Sequence, residues 1–189
     1  ESIDPVGIHS SDSYQFMPAI TLTDREFQNL REAAIHISRY LKLTGAISIK
    51  FALDPTSYAF YILEVNPFAS DSLLMASMGL GYSIFEQGVQ LQLGRSLEHL
   101  PHPLLQDLKA VYEPSLDYIF FKIPIFSNAA QNARLNTQIH SYGAVYGFGK
   151  RIDEAYQQAL ETIKDKKLLT VFPEEMRDDE LIQKIARHM

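Results

Sequence analysis

The sequence predicts an α+β fold, because helices and β-hairpins follow one another without the regular strand–helix–strand alternation of a parallel sheet. One observation is a capping box, Thr23-Asp24-Arg25-Glu26, at the start of an amphipathic helix predicted over residues 24–41. A second is a pair of strand-like runs, residues 46–53 and 58–65, joined by the turn-forming residues Asp54-Pro55-Thr56-Ser57. Both features favour a domain with an antiparallel sheet.

Elements after this hairpin follow from the same patterns. Ser70 or Asp71 begins a helical, apolar stretch that continues to residue 93, and its leucines and methionines are typical of a core. The later elements predicted are a helix with loops over 97–114, strands over 117–126 and 144–148, an amphipathic helix over 151–163 and a last helix that begins at Pro173.

Composition limits the classes of function. The 189 residues suffice for about one domain, and 46% hydrophobic with 21% charged residues excludes a disordered chain. A net charge of -6 argues against nucleic acid as a partner, and no apolar run or signal-peptide pattern indicates a membrane partner. The absence of cysteine excludes disulfides and thiolate sites and is compatible with the cytoplasmic location that we expect. Because the chain begins with Glu1 rather than Met, we expect it to be part of a longer protein.

The second strand of the hairpin carries the first candidate site. Glu64 and Asn66 stand two residues apart in the run Tyr61-Ile-Leu-Glu-Val-Asn-Pro67, so they share one face of the strand. Carboxylate and amide oxygens are ligands for hard cations such as Mg²⁺, which keep water and substrate phosphate as further ligands. The alternative is a strand end where polarity rises before the Pro67 turn.

A lysine on the first strand bears on this site. Ser48 and Lys50 share the polar face of their strand. If the register sets Lys50 opposite Glu64, an ammonium group lies against the candidate metal-binding carboxylate. This register requires a turn with an odd number of residues.

Ordered motifs along most of the chain carry a resemblance to a known family. They are Asp4-Pro-Val-Gly-Ile-His-Ser-Ser-Asp-Ser13, Thr21-Leu-Thr-Asp24, Lys50-Phe-Ala-Leu-Asp-Pro55, Glu64-Val-Asn-Pro67, Ala76-Ser77, Glu113-Pro-Ser-Leu-Asp-Tyr118, Lys122-Ile-Pro124, Arg134-Leu-Asn-Thr-Gln138, Ser141-Tyr-Gly-Ala-Val145 and Gly147-Phe-Gly149. Together they resemble the large subunit of carbamoyl phosphate synthetase, in its first, carboxyphosphate-forming ATP-grasp half.

The resemblance implies a fold, a reaction and partners. It implies that residues 1–163 are the later part of an ATP-grasp domain and that residues 164–189 begin a helical oligomerisation domain. The family phosphorylates bicarbonate with ATP, adds ammonia from glutamine and phosphorylates the carbamate with a second ATP, as a step of pyrimidine or arginine biosynthesis. The implied partners are the remainder of the large chain, a glutaminase small subunit and, through uncovered surfaces, a second copy of the chain.

The resemblance also implies roles for individual residues. Gly7, Ile8 and His9 match residues that line the nucleotide site, although a histidine in such a turn also commonly serves as a structural hydrogen-bonding group. Glu64 matches a carboxylate that meets both nucleotide and metal, and Asn66 matches a metal ligand. The implied cofactors are ATP and Mg²⁺ or Mn²⁺, and no catalytic residue is carried over.

Five family positions are substituted in this chain. Ser48 replaces an asparagine, Lys50 a metal-binding glutamine, and Phe68, Asp71 and Ile125 each replace an arginine. A charged lysine has no lone pair with which to bind a metal. Near Glu64 it would compete with the metal for the carboxylate, because two unit charges ~4 Å apart attract each other by roughly 4 kcal/mol at an effective dielectric constant of ~20, before the cost of desolvation. Losing arginines removes bidentate phosphate clamps.

Three readings follow from these substitutions. The chain is a segment of the ligase, active only in the complete enzyme; or it is a non-catalytic scaffold or binding paralogue that kept the fold; or it is an unrelated α+β binding domain. Because the family's glycine loop and adenine-lining segment precede the position of Glu1, we expect the isolated chain to be inactive.

Overall fold

The computed structural model describes residues 1–105, 107–127 and 135–163. Its elements in chain order are a 3-10 turn at Ser10–Asp12, β1 (Gln15–Met17), α1 (Asp24–Tyr40), β2 (Ser48–Leu53), β3 (Phe60–Asn66), α2 (Asp71–Leu80), α3 (Ile84–Gln92), β4 (Ile119–Phe126), β5 (Ser141–Gly149) and α4 (Ile152–Glu161). Antiparallel strands mixed with helices confirm the predicted α+β class.

The chain divides into two compact units. Among the described residues, the first unit joins 1–21 to 116–127 and 135–163, and the second unit lies within Leu22–Ser115. The helix predicted to begin at Pro173 and the segment 164–189 lie outside the described residues, so the predicted domain boundary stays a prediction.

The first unit is a three-stranded antiparallel sheet covered by α4. The strand order is β1-β4-β5, and β4 is buried along most of its length, which explains its near-continuous apolar sequence. The core lies between the sheet and the helix and is formed by Tyr14, Phe16, Phe121, Ile123, Ile152, Ala155, Tyr156 and Ala159.

Two glycines allow α4 to lie directly against the backbone of β5. A Cβ atom added at Gly147 would collide with the backbone oxygen of Ala155 and the backbone nitrogen of Ala159. At Gly149 it would lie 2.7 Å from the Cβ atom of Glu154. Both alanines are fully buried, so the contact depends on small residues from both elements.

The second unit begins with α1, whose predicted capping box is confirmed. The Glu26 amide donates to Thr23 Oγ1 at 3.3 Å, and the Thr23 amide donates to Glu26 Oε2 at 2.7 Å. Hydrogen bonds from Thr23 lower the pKa of the Glu26 carboxyl below its ordinary value, the side-chain bond most. No residue of α1 is buried.

The apolar stretch after Ser70 forms two helices instead of one. Ser70 Oγ caps α2 by accepting from the Leu73 amide at 3.4 Å, and Gly81 ends the helix in the left-handed conformation with φ +76°. Leu73 and Met75 are buried, as a core role requires, whereas Leu74, Met78 and Leu93 are exposed, so the predicted core role holds for only part of the stretch.

The helix predicted within residues 97–114 is absent from the described part of that segment, which forms turns. Pro101 and Pro103 lack the amide donors that a helix needs. Here His102 is buried, and its Nδ1 accepts from the amides of Leu104 and Leu105 at 3.2 Å each.

Candidate nucleotide and metal site

The polar residues of the hairpin meet on one face of a two-stranded antiparallel ladder. Ser48 pairs with Asn66, and Lys50 pairs with Glu64. Residues directly opposite each other in an antiparallel pair point to the same side, with Cβ atoms about 4.5–5.5 Å apart. The predicted register of Lys50 against Glu64 is therefore confirmed, and all four side chains share one face.

The turn that produces this register differs from the prediction. Leu53 pairs with Phe60, so the loop consists of residues 54–59, an even number. A β-bulge then shifts the register, because Lys50 pairs with Glu64 whereas Phe51 pairs with Ile62. The expected odd-numbered turn is wrong; the extra residue sits within the strand instead of in the loop.

Glu64 and Asn66 form a hydrogen-bonded pair on this face. Asn66 Nδ2 donates to Glu64 Oε1 at 2.6 Å, and Glu64 is exposed. A charged acceptor makes this bond stronger than one between neutral groups. The amide thus turns its donor toward the carboxylate, and to act as a metal ligand it would have to present its oxygen.

These residues do not fit a divalent cation as they stand. Mg²⁺ requires oxygen ligands, and this face supplies one carboxylate beside an amide that donates to it. Lys50 lies directly across the ladder from that carboxylate and brings a positive charge. Within the described residues, no group of three or more histidine, aspartate or glutamate side chains is arranged to hold a metal ion.

The start of α2 is tied to the same face. Ser48 Oγ lies 3.1 Å from Ser70 Oγ, the N-cap oxygen of that helix. Phe68, just before the cap, is 63% exposed, and Asp71 occupies the first turn. A carboxylate suits the positive end of the helix dipole, but it repels a phosphate at the place where the family has an arginine.

The other predicted nucleotide residues lie in the first unit, in the turn before β1. Gly7 has φ +108°, a conformation that a side chain would strain, so glycine suits this position. The Ile8 amide donates to the Pro5 oxygen at 3.4 Å, and the His9 amide donates to the Asn136 oxygen at 2.8 Å.

The His9 ring has a structural bond on one nitrogen. Its Nδ1 accepts from the Ser11 amide at 3.1 Å and so caps the 3-10 turn at Ser10–Asp12. Because Nδ1 is the acceptor, the proton of the neutral ring is on Nε2. His9 can therefore offer an N–H donor to an oxygen of a ligand while holding its own turn in place.

The candidate residues thus fall into two sets. One set is brought together on the hairpin face and the adjoining start of α2, and it consists of Ser48, Lys50, Glu64, Asn66, Phe68 and Asp71. The other consists of Gly7, Ile8 and His9 in one turn of the first unit. Ile125, in β4 opposite Gly143, belongs to the first unit as well.

Sequence reasoning missed the role of two buried charged residues next to His9. Asp12 is 1% and Lys122 3% exposed. Asp12 stands inside the motif that carries Gly7 and His9, and Lys122 interrupts an apolar strand. The signal in the sequence is the charged Lys122 within an apolar strand, because a buried charged group must find hydrogen-bonding partners.

Comparison with known proteins identifies the family. Residues 1–100 match the family described as carbamoyl-phosphate synthase L chain, ATP binding domain. This stretch is more than half of the 189 residues, so the chain belongs to that family. Its fold is accordingly of the α+β ATP-grasp type.

Two solved structures are similar to this chain. Pyruvate carboxylase from Rhizobium etli is 16% identical, with a TM-score of 0.51 over 64% of this chain and 10% of that chain. Biotin carboxylase from Campylobacter jejuni is 24% identical, with a TM-score of 0.47 over 60% of this chain and 23% of that chain. The aligned part of this chain thus spans less than a quarter of either protein.

Among the described residues, every helix is too short or too polar to cross a bilayer.

Proposed function

We propose that this chain is a segment of a carbamoyl phosphate synthetase-type large chain, from its first, carboxyphosphate-forming half. In this role it helps to bind ATP for the formation of carbamoyl phosphate from bicarbonate and glutamine-derived ammonia. The family match over residues 1–100 supports the proposal. The observation that carries it is the placement of Glu64 and Asn66 together on one exposed face of the hairpin, where the family resemblance puts its nucleotide and metal residues.

The roles proposed for individual residues follow the family resemblance, unit by unit. In the second unit, Glu64 accepts hydrogen bonds from a nucleotide; in the first unit, the backbone of Gly7 and Ile8 contacts a nucleotide. His9 donates from Nε2, since its Nδ1 is already occupied by the Ser11 amide. Phosphoryl transfer depends on positioning and on neutralising phosphate charge, so such fixed donors and acceptors are the contribution this segment makes.

The hairpin face departs from this role at its metal position. Lys50 opposite Glu64 supplies one positive charge where the family binds a divalent cation. The ammonium competes with Mg²⁺ or Mn²⁺ for the carboxylate. We therefore expect ATP binding with a weak dependence on divalent metal.

A second candidate function is a non-catalytic scaffold or binding paralogue that keeps the subunit contacts. Ser48, Lys50, Phe68 and Asp71 favour it, because at these positions the family has an asparagine, a metal-binding glutamine and two arginines suited to clamp phosphate. In both functions the partners are the remainder of the large chain and a glutaminase subunit. We also expect self-association through surfaces that the remainder of the large chain would cover.

Titration of the complete protein with ATP, with and without Mg²⁺, tests the role of Lys50. In Lys50→Gln we expect Mg²⁺ to tighten ATP binding by about tenfold more than in wild type, a fraction of the ~4 kcal/mol that such a charge pair can reach. Lys150→Gln removes the same charge from an exposed position in the other unit and is expected to leave binding unchanged. Equal Mg²⁺ dependence in wild type and Lys50→Gln would contradict the proposal that lysine displaces the metal.

Turnover separates the two candidate functions. Bicarbonate-dependent hydrolysis of ATP by the complete protein supports the ligase. ATP binding without that hydrolysis, in a preparation whose second half is active, supports the scaffold. Failure of the complete protein to bind ATP would contradict the nucleotide role in both.

A further inference from the structure

Asp12 is a buried carboxylate with a full set of donors. Its oxygens accept from the His140 amide at 2.9 and 3.2 Å, from the Ser141 amide at 2.9 Å and from Ser141 Oγ at 2.6 Å. Burying a carboxylate is costly unless hydrogen bonds compensate it. The start of β5 is therefore built around Asp12, and the two are separated by about 130 residues in the sequence.

The same residue is bonded to His9. The Asp12 amide donates to the His9 oxygen at 2.9 Å, and the Ser11 amide donates to His9 Nδ1 at 3.1 Å. His9 is also held from the other side, because its amide donates to the Asn136 oxygen at 2.8 Å. Backbone and ring of His9 are thus fixed through a turn whose last residue is anchored to β5.

Lys122 holds the first residue of this turn. It is 3% exposed, and its Nζ donates to the Ser10 oxygen at 3.0 Å and to Gln15 Oε1 at 3.3 Å. Its strand neighbours Phe121 and Ile123 point into the core, so Lys122 reaches the turn from the opposite face of β4. Two buried charged residues of opposite sign therefore fix the two ends of one short turn, Lys122 at Ser10 and Asp12 through its bonds to β5.

We propose that Asp12, assisted by Lys122, is a positioning residue for the nucleotide contacts of Gly7, Ile8 and His9. The inference rests on the proposed function of those three residues. Binding groups must be held close to the productive geometry, and hydrogen bonds to charged groups are roughly twice as strong as neutral ones. Asp12 sets the place of the turn, and the Ser11 amide sets the His9 tautomer that leaves Nε2–H for the ligand.

Asp12→Asn tests this directly, because its NH₂ group would face the amides that the carboxylate accepts from. The readouts in the complete protein are the dissociation constant for ATP and the nitrogen chemical shifts of the His9 ring, which distinguish the Nδ1–H and Nε2–H tautomers. We expect binding about tenfold weaker and a mixture of His9 tautomers in the variant, and the Nε2–H tautomer in wild type; tenfold corresponds to about 1.4 kcal/mol.

Ile152→Ala is the matched control. It truncates a buried residue of α4 in the same core and lowers stability without touching the turn. We expect it to leave both the His9 tautomer and the affinity for ATP unchanged. If Asp12→Asn also keeps both at wild-type values while its stability falls, Asp12 is only structural and the proposal is wrong.

Two further outcomes remain decisive. If Asp12→Asn does not fold, Ser141→Ala is the second variant. It removes the hydroxyl that donates to Asp12 at 2.6 Å and to the Ser11 oxygen at 3.2 Å, and it leaves the amide donors to Asp12 in place. We expect smaller changes in the same direction, and unchanged His9 signals in that variant overturn the proposal. If wild type binds no ATP, the proposed function fails on its own, and the His9 tautomer alone then decides whether Asp12 positions the turn.

Discussion

The two units hold their candidate residues by different means. In the first unit, the turn with Gly7 and His9 rests on buried groups, Asp12 and Lys122, beside a core whose central Phe121 is fully buried. In the second unit, β3 leaves Tyr61, Ile62 and Leu63 exposed by 60%, 52% and 42%, and α1 buries no residue.

The difference in burial between the two units predicts how far the effect of a substitution on stability should spread. Positions in the first unit are fixed by packing, so a change in its core should affect the whole unit cooperatively. Positions in the second unit are fixed mainly by caps, the β-ladder and local hydrogen bonds, and a two-stranded hairpin has little stability of its own. Changes there should have smaller, local effects.

Gly147→Ala should give the largest effect. The added Cβ would collide with the backbone of α4 at Ala155 and Ala159, so α4 must move away from β5. We expect a loss of about 3 kcal/mol in the free energy of unfolding, at the upper end for overpacking. Since the chain has no tryptophan, chemical denaturation followed by far-UV circular dichroism measures this loss of stability.

Gly143→Ala is the control for this comparison. It lies in the same strand, and an added Cβ there meets no atom within 4 Å. Its expected effect is within about 0.5 kcal/mol. Equal losses in the two variants would mean that close packing of α4 on β5 does not limit the first unit.

Thr23→Ala should have an intermediate effect, confined to α1. The substitution removes the Oγ1 that accepts from the Glu26 amide, and N-cap losses typically cost about 1 kcal/mol. Since α1 buries no residue, this loss should appear as faster amide hydrogen exchange along α1. Thr44→Ala, at an exposed loop position, should not change that exchange. Faster exchange throughout the first unit as well would contradict the division into separately stabilised regions.

Local signals in the sequence predicted α1 and the hairpin of the second unit, whereas the helix predicted within residues 97–114 is absent from the described residues. The capping box and the apolar spacing predicted α1, and the period of two placed Glu64 and Asn66 on one face. The pairing of Lys50 with Glu64 was predicted as well, but through an odd-numbered turn; a bulge at Leu63 has no comparable sequence signal.

Long-range packing explains what the sequence could not predict. The strand predicted over residues 144–148 is longer in the structure, where β5 covers Ser141–Gly149. Glycines have low β-propensity, so the sequence pattern placed the strand ends too far inward. Only the close contact with α4 explains why Gly147 and Gly149 stand in this strand. The bond of Asp12 to Ser141 spans 129 residues, so no local pattern indicates it. Hence the hairpin set of candidate residues was predictable as a set, whereas the support of His9 was not.

Acid pH should give the smallest effect, again in the second unit. Arg31 Nε donates to Glu113 Oε2 at 2.9 Å and to Oε1 at 3.1 Å, and these hydrogen bonds lower the pKa of the Glu113 carboxyl. A carboxyl with a lowered pKa in the folded state stabilises it above its ordinary pKa of about 4.3, and this stabilisation is lost as the pH falls through the folded-state pKa.

We therefore expect wild type to be slightly more stable than Glu113→Gln at neutral pH, and the difference to vanish in strong acid. The difference should also shrink in high salt, since both side chains are substantially exposed. Thermal unfolding across this pH range measures it, with Glu98→Gln as the control for loss of an exposed charge in the same unit. A difference that persists in strong acid would assign the effect of Glu113 to packing rather than to its ion pair, and the second unit would then resemble the first more than its exposure indicates.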